Sequence, residues 1–374
     1  MVYLDNAATS YPKPKIVQNT VSQSLIKYGA NPGRSSYKMA VETSTVVYKT
    51  RTKIKGFFKA KSEEDVIFTK SCTEALNMVI LSKLKAGDHV VISDLEHNAV
   101  VRAVHALKEK SVEYSIFKVS LEDDNETIDN LRKALKPKTK LVVCTAASNV
   151  FGVKLPIHRL TALCHIYDIE ICVDAAQGAG HFDIDISKSD IDYLCLPAHK
   201  GMFGIMGTGI LITNKLIKPL IYGGTGTSSF SYVQPTDKPD ALESGTLNVA
   251  GIMSLSAGID YINNKSIEKI ETVEKTKINY LYNKLENIDN VILYINNPLN
   301  IAPVISLNIK DVESEVVGAY LSRKNIAVRC GIHCAPLAHL KLNTENGTVR
   351  ISPSVFTTKE EIDYFIKVLE NYKN

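Results

Sequence analysis

The sequence contains 374 residues, of which 45% are hydrophobic and 22% are charged, and its net charge is +4. This composition is ordinary for a globular protein, and the length allows one large and one smaller domain, each with a substantial core. Lysines and arginines are spread along the chain without a concentrated basic block, so the charge pattern does not indicate a nucleic-acid partner.

The N-terminal residues, MVYLDNAATSYPKPK, lead directly into a strand-like segment without the basic and apolar stretches of a secretory signal. No apolar run approaches the roughly 18 residues that suggest a membrane-spanning helix. The seven cysteines are expected to be reduced thiols rather than a disulfide framework, because the chain is long and shows no secretory signal. We therefore expect a cytoplasmic protein without membrane association.

Short apolar segments alternate with amphipathic stretches between Asp65 and Asn214. In chain order the apolar segments are VIF, HVVIS, YSIFKV, LVVCTA, IEICVDA, DYLCL and GILIT. This alternation is typical of βαβ units and predicts an α/β fold with a mainly parallel central sheet covered by helices. Because ligands of open α/β sheets bind beyond the carboxyl ends of the strands, we expect the functional residues to follow these segments.

The rest of the chain predicts a second, smaller unit. Residues 223–245 are rich in Gly, Ser, Thr and Pro, which predicts a long loop of the kind that is often functional. A helical stretch is expected from Asn248 to Leu285. After it, strands are expected in PVISLNI, IAVRC and TVRIS, and a closing helix in KEEIDYFIKVLENY. The predicted domains are a large domain, residues 14–250, and a small α+β domain, residues 251–374 together with residues 1–13.

Lys200 and Asp174 are the strongest candidates for chemistry on the basis of residue type. Asp174 ends the segment IEICV, whereas Lys200 follows DYLCL and precedes a glycine-rich turn. Enzymes that use pyridoxal 5′-phosphate (PLP) need a lysine to form a Schiff base and a carboxylate to pair with the pyridinium nitrogen. This pair suits both roles. A surface lysine and a helix-capping aspartate are the alternatives that these two residues alone leave open.

The motifs around these residues resemble those of the class V aminotransferase superfamily, specifically the Suf/Csd-like cysteine desulfurases. The resemblance extends from YLDNAATSYPKP to VRISPSVFTTKEEID, essentially the whole chain. It implies PLP fold type I with PLP as cofactor, carried by Lys200, and with Asp174 at the ring nitrogen. It also implies Gln177 and Asn149 near the phenolic oxygen, the latter also close to the substrate. His97 is implied to stack on the ring and to transfer protons, although a helix-start or core histidine is the alternative.

The cofactor phosphate is expected at the start of the helix in TKSCTEALNMVIL, because helix N-termini bind anions. The resemblance implies phosphate contacts from Thr73, Cys72 and His199. It also implies a contact from Thr246 of the neighbouring subunit, and hence a homodimer with shared active sites. An ordinary helix cap is compatible with this assignment. Many relatives have a hydroxyl residue where this chain has Pro197, and the Cys72 thiol is a weaker donor than a hydroxyl.

The segment IAVRCGIHCAPLAH contains the candidate for sulfur chemistry. Positive charge and partial exposure favour a reactive thiolate, and Cys334 lies five residues after Arg329. The pattern R-x-G-x-H-C resembles the motif that presents the nucleophilic cysteine of Suf-like desulfurases over PLP. The alternatives are a buried structural cysteine and a metal site formed by Cys330, His333, Cys334 and His339. The spacing matches no standard zinc pattern, so we expect no metal.

Two further features follow from the same region. The second thiol, Cys330, invites an oxidative side reaction with the nucleophile or an auxiliary role. By resemblance, Arg350 stands where the family binds the substrate carboxylate, which arginine suits through paired hydrogen bonds. Arg329 is the other candidate for this contact, and a strand-end surface arginine is the alternative for Arg350.

The resemblance implies conversion of L-cysteine to L-alanine, with sulfur transferred to Cys334 as a persulfide and then to an acceptor or scaffold protein, as in iron–sulfur cluster assembly. A selenocysteine lyase, acting on L-selenocysteine, would use the same site. Another class V aminotransferase or a cysteine lyase would keep Lys200 and Asp174 but would not need Cys334. A non-enzymatic PLP-binding protein is disfavoured, because candidates for both the lysine and the nucleophile are present.

Overall fold

The structure, a computed structural model, describes residues 1–33, 35–227, 229–295 and 300–372. The helices are α1 (Lys15–Lys27), α2 (Lys38–Phe58), α3 (Cys72–Lys83), α4 (Asn98–Ala106), α5 (Asp124–Ala134), α6 (Ile157–Ile166), α7 (Ile186–Ser189), α8 (Val249–Lys265), α9 (Ile267–Leu285), α10 (Ser314–Arg323), α11 (Pro336–Lys341) and α12 (Lys359–Glu370). The strands are β1 (Val2–Tyr3), β2 (Val66–Thr69), β3 (His89–Ser93), β4 (Glu113–Phe117), β5 (Thr139–Thr145), β6 (Glu170–Asp174), β7 (Tyr193–Pro197), β8 (Gly209–Ile212), β9 (Val291–Leu293), β10 (Ile305–Ile309), β11 (Ile326–Ala327), β12 (Arg329–Gly331) and β13 (Thr348–Ile351).

A seven-stranded sheet with the order β2-β8-β7-β6-β5-β3-β4 forms the centre of the molecule. Strands β3 to β7 run parallel to one another, whereas β8 is antiparallel to both β2 and β7. Every apolar segment predicted between residues 65 and 214 contains one of these strands. The prediction of an α/β fold with a mainly parallel sheet is therefore confirmed.

The central strands read as continuous apolar runs because helices cover both faces of the sheet. All residues of β2, β3, β7 and β8 are buried, whereas the edge strand β4 is only partly buried. Helices α3 and α4 pack against one face, and α6 and α8 belong to the core on the other. The carboxyl ends of β3, β5, β6 and β7 consequently open at a common edge.

The long helical stretch predicted from Asn248 to Leu285 is two helices. Helix α8 ends and α9 begins at Ser266, whose φ of 66° and ψ of 145° are incompatible with a continuous helix. The Ser266 side chain accepts a hydrogen bond from the Lys269 amide at 3.3 Å and so caps the second helix. The predicted loop at residues 223–245 contains no helix or strand among its described residues, and Ser228 lies outside them.

The C-terminal strands form a separate four-stranded antiparallel sheet, in the order β12-β13-β10-β9. The segment IAVRC, predicted as one strand, is divided. Its first part, β11, pairs in parallel with β1, while its second part, β12, pairs with β13. The N-terminus therefore joins this part of the fold. The division into domains at residues 14 and 250 stays a prediction. No helix in the described part of the chain is long and apolar enough to cross a membrane.

A buried ion pair connects α2 to the segment before α8. Arg51 donates to the carboxylate of Glu243 and to the carbonyl of Val66, and Glu243 also accepts from the Phe68 amide. Both charged side chains are at most 8% exposed. We expect Arg51→Met to lower the free energy of unfolding by about 3–5 kcal/mol, because it leaves Glu243 buried without its counter-charge.

Urea denaturation followed by circular dichroism measures this loss. Arg132→Met is the matched control, because Arg132 pairs with Asp129 at the surface, where both side chains are about half exposed. Removal of that pair is expected to cost less than about 1 kcal/mol. Equal effects of the two substitutions would contradict a special contribution from the buried pair.

Candidate active site

A cleft of about 190 Å³ lies at the carboxyl edge of the seven-stranded sheet. Its walls come from the residues that follow β2, β3, β5, β6 and β7, which is where parallel-sheet proteins place their ligands. The lining residues are Ser71, Cys72, Thr73, Leu76, His97, Ala99, Thr145, Asn149, Asp174, Ala176, Gln177, Pro197, His199 and Lys200. Eight predicted site residues from five separate segments thus line one cleft.

Asp174 ends β6 at the base of this cleft. Its Oδ1 accepts hydrogen bonds from the Ala176 amide at 2.9 Å and from the Cys72 thiol at 3.4 Å. Its Oδ2 has no hydrogen-bond donor among the described residues. Cys72 was expected to contact a phosphate, but its thiol is directed at the carboxylate. Burial, and then the charge of Asp174, raises the pKa of this thiol well above its ordinary value, so it stays protonated and donates.

Lys200 lies three residues beyond the end of β7 and is half-buried in the cleft. Its ammonium makes no hydrogen bond or ion pair with any described residue. Desolvation lowers its pKa, and nearby Arg350 acts in the same direction, whereas Asp174 opposes the shift. A lowered pKa increases the share of the free amine, which is the form of lysine that acts as a nucleophile or a base.

Three polar side chains surround the open part of the cleft. Gln177 donates from Nε2 to the Ala7 carbonyl at 2.9 Å, and Asn149 donates from Nδ2 to the His333 carbonyl at 2.8 Å. His97 caps α4 by accepting from the Ala99 amide at Nδ1, 3.0 Å away, which leaves Nε2 as the free nitrogen. Burial lowers the pKa of His97, so the ring is neutral and suited to stacking.

The start of α3 forms the end of the cleft expected to bind phosphate. Ser71 caps this helix by accepting from the Glu74 amide at 3.1 Å, while Thr73 is exposed in its first turn. His199 also lines the cleft, and its buried Nδ1 has no partner among the described residues. Thr246 is exposed and does not line the cleft of its own chain. The predicted contact of Thr246 with the cofactor phosphate in the neighbouring subunit stays a prediction.

Cys334 lies on a short loop between β12 and α11. His333 and Cys334 have φ values of 53° and 57°, a left-handed conformation that is unfavourable for residues other than glycine. Two hydrogen bonds hold the loop in this form: Asn149 donates to the His333 carbonyl, and the Asn98 amide donates to the Cys334 carbonyl at 2.7 Å. The loop is thus attached to the residues beside His97 and to Asn149, both at the cleft.

The Cys334 thiol is exposed, and its Sγ accepts a hydrogen bond from Arg329 Nη2 at 3.7 Å. The neighbouring Cys330 points to the other face of β12, where its sulfur packs against Gly318 of α10. Burial raises its pKa to about 11. The Cys330 thiol is therefore not directed at Cys334, and its raised pKa disfavours the reactive thiolate. Both features argue against the expected oxidative side reaction between the two cysteines. No group of three or more metal-ligating side chains occurs in the described ranges.

Arg350 lies on β13, directly opposite Arg329 of β12. Its side chain is 1% exposed, with Nη2 donating to Asp5 at 2.8 Å and Nη1 to the Asn149 carbonyl at 3.0 Å. Its Nε is buried and has no acceptor among the residues described. Neither Arg350 nor Arg329 lines the cleft, and the role of either in binding a substrate carboxylate stays a prediction.

Sequence reasoning missed three polar side chains that contact site residues. Asp5 pairs with Arg350, and Lys13 donates from Nζ to the carbonyl of His199 at 2.8 Å. The third, Glu96, is completely buried beside His97, where it accepts from Ser93 Oγ and from the Thr145 amide. The signal available in the sequence was their occurrence in YLDNAATSYPKP and SDLEHNAVV, two of the recognised motifs.

Burial raises the pKa of Glu96 to about 8, with a further contribution from Asp174. Because the folded pKa lies above the unfolded one, the folded state retains the proton longer. The contribution of protonated Glu96 to stability is complete below about pH 4.5 and is lost as the pH rises towards 8.

We expect the melting temperature of Glu96→Gln to fall less than that of wild type between pH 5 and pH 8. Calorimetry tests this, with the exposed Glu122→Gln as control; parallel curves for all three proteins would contradict it.

A larger cavity, of about 810 Å³, lies at the opposite, amino-terminal edge of the sheet. Six lysines line it together with six aspartates and glutamates, and several of these groups pair with each other. None of the predicted site residues reaches it. The smaller cleft, which both Lys200 and Asp174 line, is the candidate active site.

Comparison with known proteins agrees with this geometry. The chain matches the family described as Aminotransferase class-V over residues 2–365. It is 33% identical to a probable cysteine desulfurase of Methanothermobacter thermautotrophicus, over 99% of this chain and 94% of the relative. It is 30% identical to a cysteine desulfurase of Wigglesworthia glossinidia brevipalpis, over 99% of this chain and 92% of the relative.

Solved structures give the same result. The apo structure of a cysteine desulfurase from Thermococcus onnurineus NA1 is similar with a TM-score of 0.91 and 29% identity, covering 99% of this chain and 94% of that one. The Escherichia coli cysteine desulfurase CsdA is similar with a TM-score of 0.89 and 25% identity, covering 99% and 94%. The chain belongs to the class V aminotransferase family, in which it groups with the cysteine desulfurases.

PLP is the cofactor of this family, and the cleft fits it. The cofactor needs a lysine amine, a carboxylate oxygen for its ring nitrogen and donors for its phosphate. The cleft offers Lys200 Nζ and Asp174 Oδ2, neither of which has a hydrogen-bond partner among the residues that the structure describes. It also offers the unpartnered Nδ1 of His199 and the N-terminus of α3 at the opposite end. These groups line one cleft, in which they could all contact a single bound cofactor.

Proposed function

We propose that this protein is a PLP-dependent cysteine desulfurase, which converts L-cysteine to L-alanine and transfers the sulfur to Cys334. The position of Cys334 carries the proposal. An exposed thiol accepts a hydrogen bond from an arginine, on a loop attached by hydrogen bonds to Asn149 and Asn98 at the cleft. An aminotransferase or a cysteine lyase needs no thiol there, whereas a desulfurase does.

The residues of the cleft have separate roles in holding the cofactor. Asp174 accepts a hydrogen bond from the protonated ring nitrogen, and the hydrogen bonds at its Oδ1 orient the carboxylate. His97 stacks on the ring as a neutral imidazole. The residues assigned to the phenolic oxygen are Asn149 and Gln177, and those assigned to the phosphate are Thr73, His199 and the partner's Thr246.

When bound, PLP withdraws electrons from the Cα of an attached amino acid and so makes its bonds easier to break. Arg350 fixes the substrate carboxylate, for which its unpartnered Nε provides a donor. The free amine of Lys200, with its lowered pKa, accepts the Cα proton. Arg329 holds the attacking sulfur of Cys334 in place through the hydrogen bond from its Nη2.

Sulfur transfer is a nucleophilic attack by Cys334 Sγ on the substrate sulfur. A sulfur–sulfur bond forms and the Cβ–S bond breaks, and its electron pair stays with the three-carbon fragment. That fragment takes up protons to become alanine, with His97 and Lys200 as donors. Cys334 is left as a persulfide, from which an acceptor protein, such as a scaffold for iron–sulfur clusters, or an added thiol removes the outer sulfur.

Incubation of the PLP-loaded protein with L-cysteine and an excess of dithiothreitol tests the proposal. We expect alanine and sulfide in a ratio of one to one, and a persulfide on Cys334 by mass spectrometry when the reductant is omitted. Formation of pyruvate and ammonia in place of alanine would contradict the desulfurase proposal and indicate a lyase. A preference for L-selenocysteine that survives loss of Cys334 would support a selenocysteine lyase.

The proposal includes a cytoplasmic homodimer with shared sites. Thr246 is exposed and outside the cleft of its own chain, and the nearby loop exposes Tyr222, Phe230, Tyr232 and Val233. Monomers rarely expose so many large apolar side chains together. We expect a dimer by light scattering. Mixed dimers of Lys200→Ala and Thr246→Val subunits should exceed both parents in activity, because one of their two sites is intact.

A further inference from the structure

The N-terminal segment, residues Asp5–Lys13, connects the four-stranded sheet with residues that line the active-site cleft. On one side it binds the end of β13: Asn6 Nδ2 donates to the Ser352 carbonyl at 2.9 Å, and Ser352 Oγ accepts from the Ala7 amide at 2.9 Å. Asp5 pairs with Arg350. The segment is therefore fixed to the four-stranded sheet before it reaches the cleft.

On its other side the segment converges on one atom, the carbonyl oxygen of His199. Four donors bind this oxygen: Thr9 Oγ1 at 3.0 Å, the Ser10 amide at 3.1 Å, Ser10 Oγ at 3.2 Å and Lys13 Nζ at 2.8 Å. A carbonyl oxygen has two lone pairs, so this is an unusual concentration of donors. Lys13 is the only charged donor of the four, and its contact is the shortest.

The position of Lys13 requires partial desolvation of its ammonium group, which a lysine without a structural or functional contact would avoid. Its side chain is half-buried, and burial lowers its pKa to about 8. A lysine used only for solubility would stay in water, as Lys15 does two residues later. Lys13 instead donates to the His199 carbonyl and, at 2.7 Å, to Ser10 Oγ, which is itself bound to the same carbonyl.

The His199 carbonyl belongs to the peptide group that joins His199 to Lys200. Because the six atoms of a peptide group are coplanar, fixing this oxygen fixes the direction in which the Cα of Lys200 lies. On the other side of Lys200, Gly201 is packed so closely that an added Cβ would lie 2.4 Å from the Ala179 carbonyl oxygen. The backbone of the cofactor lysine is thus held before and after the residue.

We propose that the N-terminal segment positions Lys200 for its covalent link to the cofactor, with Lys13 as the principal positioning residue through the His199 carbonyl. The inference rests on the cofactor half of the proposed function and does not depend on sulfur transfer through Cys334. A link that must form at one Nζ is sensitive to small displacements of its backbone. Lys13 touches neither cofactor nor substrate and acts only through the peptide group.

A double-mutant cycle tests the proposal through the dissociation constant of PLP, measured by equilibrium dialysis of the full-length protein. Loss of a hydrogen bond from a charged donor corresponds to about a tenfold change or more. We expect Lys13→Met to raise the dissociation constant about tenfold when Lys200 is present, and by less than about twofold in the Lys200→Ala background. Lys15→Met is the control and should leave the constant unchanged.

The outcomes separate the explanations. An equal increase of the dissociation constant by Lys13→Met in both backgrounds would overturn the proposal. It would mean that Lys13 acts on the overall stability of the protein, or on phosphate binding through the His199 ring. No effect in either background would overturn it as well. If Lys13→Met folds poorly, Thr9→Val removes another donor to the same carbonyl and should show a smaller effect with the same dependence on Lys200. Failure of wild type to bind PLP would instead contradict the proposed function.

Discussion

Replacement of Cys334 by alanine is expected to lower the rate of alanine formation from L-cysteine at least about a thousandfold, because it removes the nucleophile of the reaction. No other thiol can substitute for it. Cys330 packs against Gly318 on the far face of β12, and Cys72 donates to Asp174 at the base of the cleft. The measurement is a time course of alanine and sulfide with excess dithiothreitol.

Cofactor binding should survive this substitution, because Cys334 does not line the cleft. The variant should therefore keep its PLP absorbance and still respond spectrally to L-cysteine. Cys330→Ala is the matched control, and we expect its activity to stay within about twofold of wild type, as for a residue outside the reaction. Retention of alanine formation by Cys334→Ala, with normal stoichiometry, would remove the thiol from the mechanism and favour a lyase.

Replacement of Lys200 by alanine is expected to lower turnover at least about a thousandfold, because it removes both the covalent anchor of PLP and the base for the Cα proton. Asp174, Gln177 and His199 still line the cleft, so PLP should remain bound without a covalent link. Borohydride reduction followed by peptide mapping measures the link directly. Wild type should carry the label at Lys200, and the variant should carry none.

Added methylamine offers a second test of the same residue. A small amine that enters the cleft can replace the missing base, so it should restore part of the activity of Lys200→Ala but none of that of Cys334→Ala. The exposed Lys118→Ala controls for the loss of a positive charge elsewhere. Full activity of Lys200→Ala without added amine, or labelling of a different lysine in wild type, would overturn the assignment.

The positions of the missed residues explain how far sequence reasoning reaches. The Cys72 thiol binds a carboxylate 102 residues away, Lys13 binds a carbonyl 186 residues away, and Asp5 pairs with a residue 345 positions along the chain. Local patterns carry no information about such partners. Cys72 was therefore assigned to the phosphate because it stands beside Thr73 in the motif, whereas its actual contact depends on how closely the start of α3 approaches the end of β6.

Sequence by itself determined the α/β class, the strands of the central sheet, and the residues at their carboxyl ends, Asp174 and Lys200 among them. It could do so because a sheet covered on both faces requires continuous apolar runs, and because the motifs of the family lie in short stretches of chain. The tertiary structure alone decided the direction of Cys330 and the division of α8 from α9. It also decided the four-donor contact at His199, because each depends on packing between segments that are distant in the chain.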